Sequence, residues 1–273
     1  MMRWRTLTNT VHIISIVATL VLNGCSNSTD SKMIYRLVWN DEFDGPVGQK
    51  LGSDKWGYDV GTDWGNAQLE YDTDRAENVS LDGNGNLAIV ARKESYQGQP
   101  YTSARIVTRD LFEPKYGRIE ARIKLPTGQG IWPAFWMLGN DIKTVSWPQC
   151  GEIDIMEYRG QHSHVIHGSL HGPGYAGGRA LSRSYTLDGA GFDTDFHVFA
   201  VEWTRGRIDW HVDGSHYLTI LPEHANGDWV FDHPFYIILN VAVGGHWVGP
   251  PNENTVFPQT MLIDYVRVYA GES

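Results

Sequence analysis

The chain has 273 residues, of which 41% are hydrophobic and 20% charged, with a formal net charge of −10. That composition supports a packed core, and the length suits one large all-β domain. The acidic balance excludes nucleic acid as a natural partner and disfavours sulfated or uronate polysaccharides, whereas a neutral glycan meets no such penalty.

The first residues stand apart. Arg3 and Arg5 precede an apolar run from Val11 to Leu22, broken only by His12, Ser15 and Thr19. The run is too short for a comfortable membrane span and reads as a secretory signal. It ends in Leu22-Asn23-Gly24-Cys25, which resembles the bacterial lipobox, in which the Cys is acylated. The alternative is a plain signal peptide cleaved nearby, with Cys25 incidental. The reading adopted is a lipoprotein signal over residues 1–24, a polar tether over 25–33 and one domain over 34–273. Removing residues 1–24 takes away two arginines and no acid, leaving −12. Membrane contact is then expected only through the lipid, at the cell surface or outer membrane, and Ser26 suits outer-membrane sorting in a Gram-negative host. With Cys25 acylated, Cys150 has no partner; no His-based activation pattern surrounds it, so it reads as a buried filler. A chain of this size holds its fold without disulfides.

Beyond the tether the hydrophobic period is two. Leu87–Arg92 and Ala104–Thr108 read as strands, and Arg118–Leu125 alternates charged and apolar residues at every step. Glu152–Tyr158 and Val165–Leu170 follow, then Phe199–Trp203. Arg207–Val212 leads into a hairpin turn at Asp213-Gly214. Phe235–Val243 and Met261–Tyr269 close the series. No segment carries an amphipathic helix pattern of twelve residues or more. Many strands with turn-rich joints imply a sandwich or barrel.

The densest chemical signal is Gly151-Glu152-Ile153-Asp154-Ile155-Met156-Glu157-Tyr158. On a regular strand Glu152 and Asp154 share one face, and Ile153 and Ile155 the other. Glu157 falls on the wrong face unless a β-bulge near Met156 restores the parity. Three acids on one sheet face oppose stability, but their repulsion raises at least one pKa, giving an acid and a carboxylate near neutral pH. That is the equipment for glycoside cleavage, and inward-leaning side chains can approach the ~5–5.5 Å gap of a retaining enzyme. The competing readings are a calcium-binding cluster, for which loops are the more natural carriers, and a solvated strand face.

At these residues the sequence resembles glycoside hydrolase family 16, in the branch whose catalytic strand is bulged. The resemblance extends over Trp39-Asn40-Asp41-Glu42-Phe43, Trp64-Gly65-Asn66, Tyr116–Arg122, Gly130–Leu138, Trp147-Pro148, Leu239–Gly245 and Asp264–Tyr269. It implies a jelly-roll sandwich of two antiparallel sheets with a concave cleft and a retaining double displacement. Glu152 would be the nucleophile, Glu157 the acid/base, and Asp154 the neighbour that sets their pKa values apart. Within the family the chain is most similar to the laminarinases. By that resemblance Asn66 and Arg105 hydrogen-bond sugar hydroxyls, Trp132 and Trp136 stack on sugars near the cleavage point, and His171 lies toward the leaving group. The match departs at Ala67, where a polar residue is usual, leaving one contact open. Trp39, Trp203 and Trp210 lie in alternating patterns and are assigned to the core; Trp64, Trp147 and Trp247 fit a cleft rim or edge packing.

Several relatives bind a structural calcium, and the matching positions are Glu42, the backbone of Gly85, and Asp264. No cofactor is expected for the chemistry. The expected activity is endo-hydrolysis of β-1,3-glucan, with mixed-linkage glucan a further substrate, by a monomer. Two alternatives stand beside it: agarase or κ-carrageenase activity on the same fold, and a glycan-binding lipoprotein without catalysis. A pure binder has no need of Glu152 and Glu157.

Overall fold

The structure is a computed structural model that describes residues 34–272. The proposed signal, the tether and Cys25 lie outside the described residues.

Among the described residues there are seventeen strands in chain order, several of them with period-two patterning. They are β1 (Ile34–Asp41), β2 (Gly57–Tyr58), β3 (Glu70–Asp72), β4 (Val79–Leu81), β5 (Leu87–Ala91), β6 (Tyr101–Ser103), β7 (Arg105–Val107), β8 (Gly117–Lys124) and β9 (Ile131–Gly139). There follow β10 (Glu152–Tyr158), β11 (Val165–His171), β12 (Leu181–Thr186), β13 (His197–Thr204), β14 (Arg207–Val212), β15 (Ser215–Ile220), β16 (Phe235–Val243) and β17 (Gln259–Glu272). The only α-helical turn among the described residues is Ile142–Val145.

Two antiparallel sheets make the sandwich. One runs β15-β14-β13-β8-β17-β5-β4, with β1 also on β17; the other runs β12-β11-β10-β9-β16-β7-β2. A short parallel pair, β3-β6, lies apart. Ile119, Ala121 and Ile123 of β8 face Ile153, Ile155 and Tyr158 of β10 and their neighbours in one buried core. Trp203 and Trp210 are buried in it, and Trp210 donates its indole N–H to the Asp154 carbonyl at 2.8 Å, tying the sheets together behind the acids. Trp39 packs on its edge against Trp56 and Phe112. Asp213 and Gly214, both at positive φ, make the turn between β14 and β15. Cys150 is buried and unpaired, and burial pushes its thiol up to about 12, as suits a filler.

Trp132 and Trp136, which sit beside Gly and Pro, lie on β9 (131–139), in the middle of the sheet. Pro133 lacks an N–H for a ladder, and it stands one residue past Ala134, the last position that β10 pairs.

Candidate active site

β10 lies between β9 and β11. Gly151 launches it at φ +74, and a Cβ there would meet Phe231, Phe235 and Val230 at 3.0 Å, so the tight entry favours glycine. Both partner registers slip between Asp154 and Glu157, which is the β-bulge the parity requires. Ile155 and Met156 both enter the core in succession. Glu152, Asp154 and Glu157 consequently share the outer face of the sheet.

Each glutamate receives an indole N–H. Trp147 Nε1 donates to Glu152 Oε2 at 3.0 Å, and Trp132 Nε1 to Glu157 Oε1 at 3.1 Å. His171, opposite Glu152 on β11, places Nε2 at 3.0 Å from Asp154 Oδ2 and 3.7 Å from Glu152 Oε1. The first contact is close, although off the line of a regular hydrogen bond. The Gly177 N–H donates to His171 Nδ1 at 3.0 Å, so the neutral ring carries its proton on Nε2, facing Asp154. His171 thus serves the Glu152–Asp154 end of the strand, while the residue opposite Glu157 is His167.

Burial is the main force on all three acids. It pushes Glu152 up to about 8, with Asp154 adding repulsion. Asp154 also rises to about 8, offset by a hydrogen bond with Glu152. Glu157 is held well above the carboxylate range by burial and then by the charges of Asp154 and Glu152. The site therefore retains protons at neutral pH, which a general acid needs. Atoms of Glu152, Asp154 and His171 lie within 4.8 Å of one another, close enough for a metal. The Nε2 proton occupies the lone pair a metal would need, so the cluster suits proton chemistry.

The other cleft residues lie on the β9–β16–β7 side. Trp136 donates to Asn240 Oδ1 at 2.8 Å, and the Arg105 guanidinium carbon sits 4.8 Å from the Trp136 ring and 5.0 Å from the Trp64 ring. Asp59 steadies Arg105 Nε at 3.3 Å. Asn66 is exposed at the tip of a loop where it and Ala67 both adopt positive φ, tolerable for Asn and costly for Ala. The loop is fastened by the His246 N–H on the Asn66 carbonyl at 2.8 Å. Trp247 packs against Trp132 and His167.

Sequence reasoning missed Trp147 as a direct partner of Glu152 and Asn240 as the anchor of Trp136. Asn240 did leave a signal, as the one polar residue in the apolar run Phe235–Val243.

The expected calcium set does not fit the ion. Glu42 accepts both Arg267 hydrogen bonds, at 2.9 and 2.7 Å, and Asp264 pairs with Arg122 at 2.5 Å. Each of the two carboxylates is already paired with an arginine, so neither offers a dication a free anionic oxygen pair.

Fold and site together define an enzyme of the carbohydrate-cleaving type, with paired carboxylates on the outer face of a β-sandwich. The family model for glycosyl hydrolases family 16 matches residues 59–267. A β-glucanase of Rhodothermus marinus is 43% identical over 264 residues, which are 91% of each chain. The glucan endo-1,3-β-glucosidase A1 of Niallia circulans is 38% identical over 85% of this chain and 37% of its own length. The crystal structure of the laminarinase catalytic domain of Thermotoga maritima superposes with a TM-score of 0.83 at 48% identity, covering 88% of this chain and 99% of that one. The chain belongs to glycoside hydrolase family 16.

Proposed function

We propose that the protein hydrolyses internal β-1,3-glucosidic bonds of laminarin-like glucans by a retaining double displacement, and that it also accepts mixed-linkage β-1,3/1,4-glucan. The observation that carries the reading is the bulge in β10, which brings Glu152, Asp154 and Glu157 to one face. Glu152 in its carboxylate form, with the proton of the Glu152–Asp154 pair held on Asp154, attacks the anomeric carbon as the glycosidic C–O bond breaks, and protonated Glu157 gives its proton to the departing oxygen. Water then attacks the glycosyl ester, Glu157 takes its proton, and Glu152 is released. Trp147 supports the Glu152 anion by its N–H, and Asp154 shares a hydrogen bond with Glu152. Asn66, Arg105, Trp132 and Trp136 supply the hydroxyl donors and apolar surfaces that a neutral sugar needs.

The test is release of reducing sugar from laminarin by the protein and by Glu152→Gln. Hydrolysis by the parent alone supports the reading. Hydrolysis of agar or κ-carrageenan in its place would move the substrate, and binding without turnover would leave a lectin. Product anomer analysis by NMR checks retention. For localisation we propose export and acylation at Cys25. Incorporation of labelled palmitate that persists in Cys25→Ala would sink that part.

A further inference from the structure

β3 buries two acids that the catalytic scheme does not use. Glu70 and Asp72 are each 1% exposed and stand two residues apart on one strand face. Glu70 Oε2 accepts the Val243 N–H at 2.7 Å, and Asp72 Oδ2 accepts the Trp64 indole N–H at 2.8 Å. The other oxygen of each has no partner. Two buried acids with bare oxygens are expensive, so the pair retains at least one proton, and burial raises both groups accordingly.

Asp72 connects directly to the cleft. The Trp64 ring that it holds lies 5.0 Å from the Arg105 guanidinium, which lies 4.8 Å from Trp136. Gly61 and Asp72 also exchange main-chain hydrogen bonds of 3.0 and 2.7 Å, and the Thr62 hydroxyl donates to the Glu70 carbonyl at 2.9 Å. The loop that carries Asn66 is therefore pinned back onto β3 at its start.

We propose that Asp72 is a positioning residue for glucan binding: by accepting the Trp64 indole proton it fixes the Trp64–Arg105–Trp136 contacts and the Asn66 loop, and so sets affinity on the β7–β9–β16 side of the cleft. The inference rests on the β-glucanase reading. Asp72 acts through Trp64, and Glu152 and Glu157 are untouched, so binding should weaken while chemistry persists.

The experiment compares the protein with Asp72→Leu, Asp72→Asn, Trp64→Phe and the Asp72→Leu/Trp64→Phe double variant on laminarin. Indole N–H exchange is followed by NMR in parallel. Asp72→Leu is expected to raise KM about tenfold with kcat within about twofold, and to lose protection of the Trp64 N–H. Asp72→Asn keeps an acceptor oxygen and should restore both. Asp72→Leu should add little in the Trp64→Phe background, since the acceptor then has no donor to hold. A fall in kcat at unchanged KM, an Asn variant as damaged as the Leu variant, or additive effects would overturn the proposal. If Asp72→Leu does not fold, a parental KM in Trp64→Phe overturns it. If the parent is inactive on laminarin the substrate reading has failed, and the Trp64 N–H protection still decides the anchoring.

Discussion

Replacing Glu152 by Gln should abolish turnover and, at alkaline pH, stabilise the fold. The Glu152 carboxyl is pushed up to about 8, first by burial and then by Asp154, from an ordinary 4.5. The folded protein thus binds this proton more tightly than the unfolded chain does. Stability therefore falls as pH rises, starting near 4.5 and levelling off above about 8. At ~1.4 kcal/mol for each tenfold, the whole shift is worth several kcal/mol. The side chain keeps 18% of its surface open to the cleft, so water recovers part of that. About 1–3 kcal/mol is the expected cost of the ionised carboxyl. Gln has the same shape, needs no charge desolvated, and still offers Trp147 an acceptor oxygen. At ~2–4 °C per kcal/mol for a domain of this size, Glu152→Gln should melt about 3–10 °C above the parent at pH 8.5. The two should coincide near pH 4.5. Thermal denaturation followed by circular dichroism across that range, at constant ionic strength, makes the comparison. A difference that does not change with pH would refute the reasoning, as would a variant less stable than the parent at pH 8.5.

Glu157→Ala should lose about 10²–10⁴-fold on laminarin yet much less in forming the glycosyl-enzyme from a dinitrophenyl glycoside, whose leaving group needs no proton; equal losses on both substrates would remove Glu157 from the donor role. Trp132→Phe deletes the N–H that stabilises the Glu157 anion. The alkaline limb of the pH–rate profile should then move to higher pH, and a downward move contradicts the assignment. Because Arg267 and Arg122 occupy Glu42 and Asp264, EDTA or added calcium should shift Tm by less than about 1 °C. A rise of several degrees with calcium would mean that the arginines yield to the ion.

The catalytic strand was legible because its signal is covalent order. Three acids spaced two and then three apart cannot share a face without one extra residue, and the register slip falls where that count demands. The long strands were legible for the same reason, since alternation survives in β8, β10 and β14 whatever packs on them. β9 was not, because Trp, Pro, Ala and Phe in succession have no period, and only the pairing with β10 and β16 makes them a strand. Trp147 and His171 lie outside β10 in sequence, and loop closure brings the first to Glu152 while the ladder brings the second. Asp72 was hidden in a three-residue strand whose burial depends on contacts far along the chain, such as that of its neighbour Glu70 with the Val243 N–H, and its own partner Trp64 lies across a loop. The arginine partners of the expected calcium ligands were hidden for a related reason. Sequence order identifies the oxygens but not the cations that reach them first.

The eleven tryptophans found a use that composition alone does not suggest. Trp56, Trp64, Trp132 and Trp147 each donate an indole N–H to a carboxylate, namely those of Asp41, Asp72, Glu157 and Glu152. An indole is a donor without charge. At Asp72, Glu152 and Glu157 it gives an oxygen a partner, yet leaves the cost of ionisation that burial imposes largely in place. An arginine at the same point would satisfy the oxygen and also hold the carboxyl ionised, as Arg267 does with Glu42. For the proton donor of a glycosidase that outcome is fatal to function, because the group must keep its proton until the sugar oxygen departs. The geometry of the site therefore separates two tasks that share one residue class. Glu42 and Asp264 face arginines, whereas Glu152 and Glu157, on either side of the bulge, face tryptophans and remain able to exchange protons.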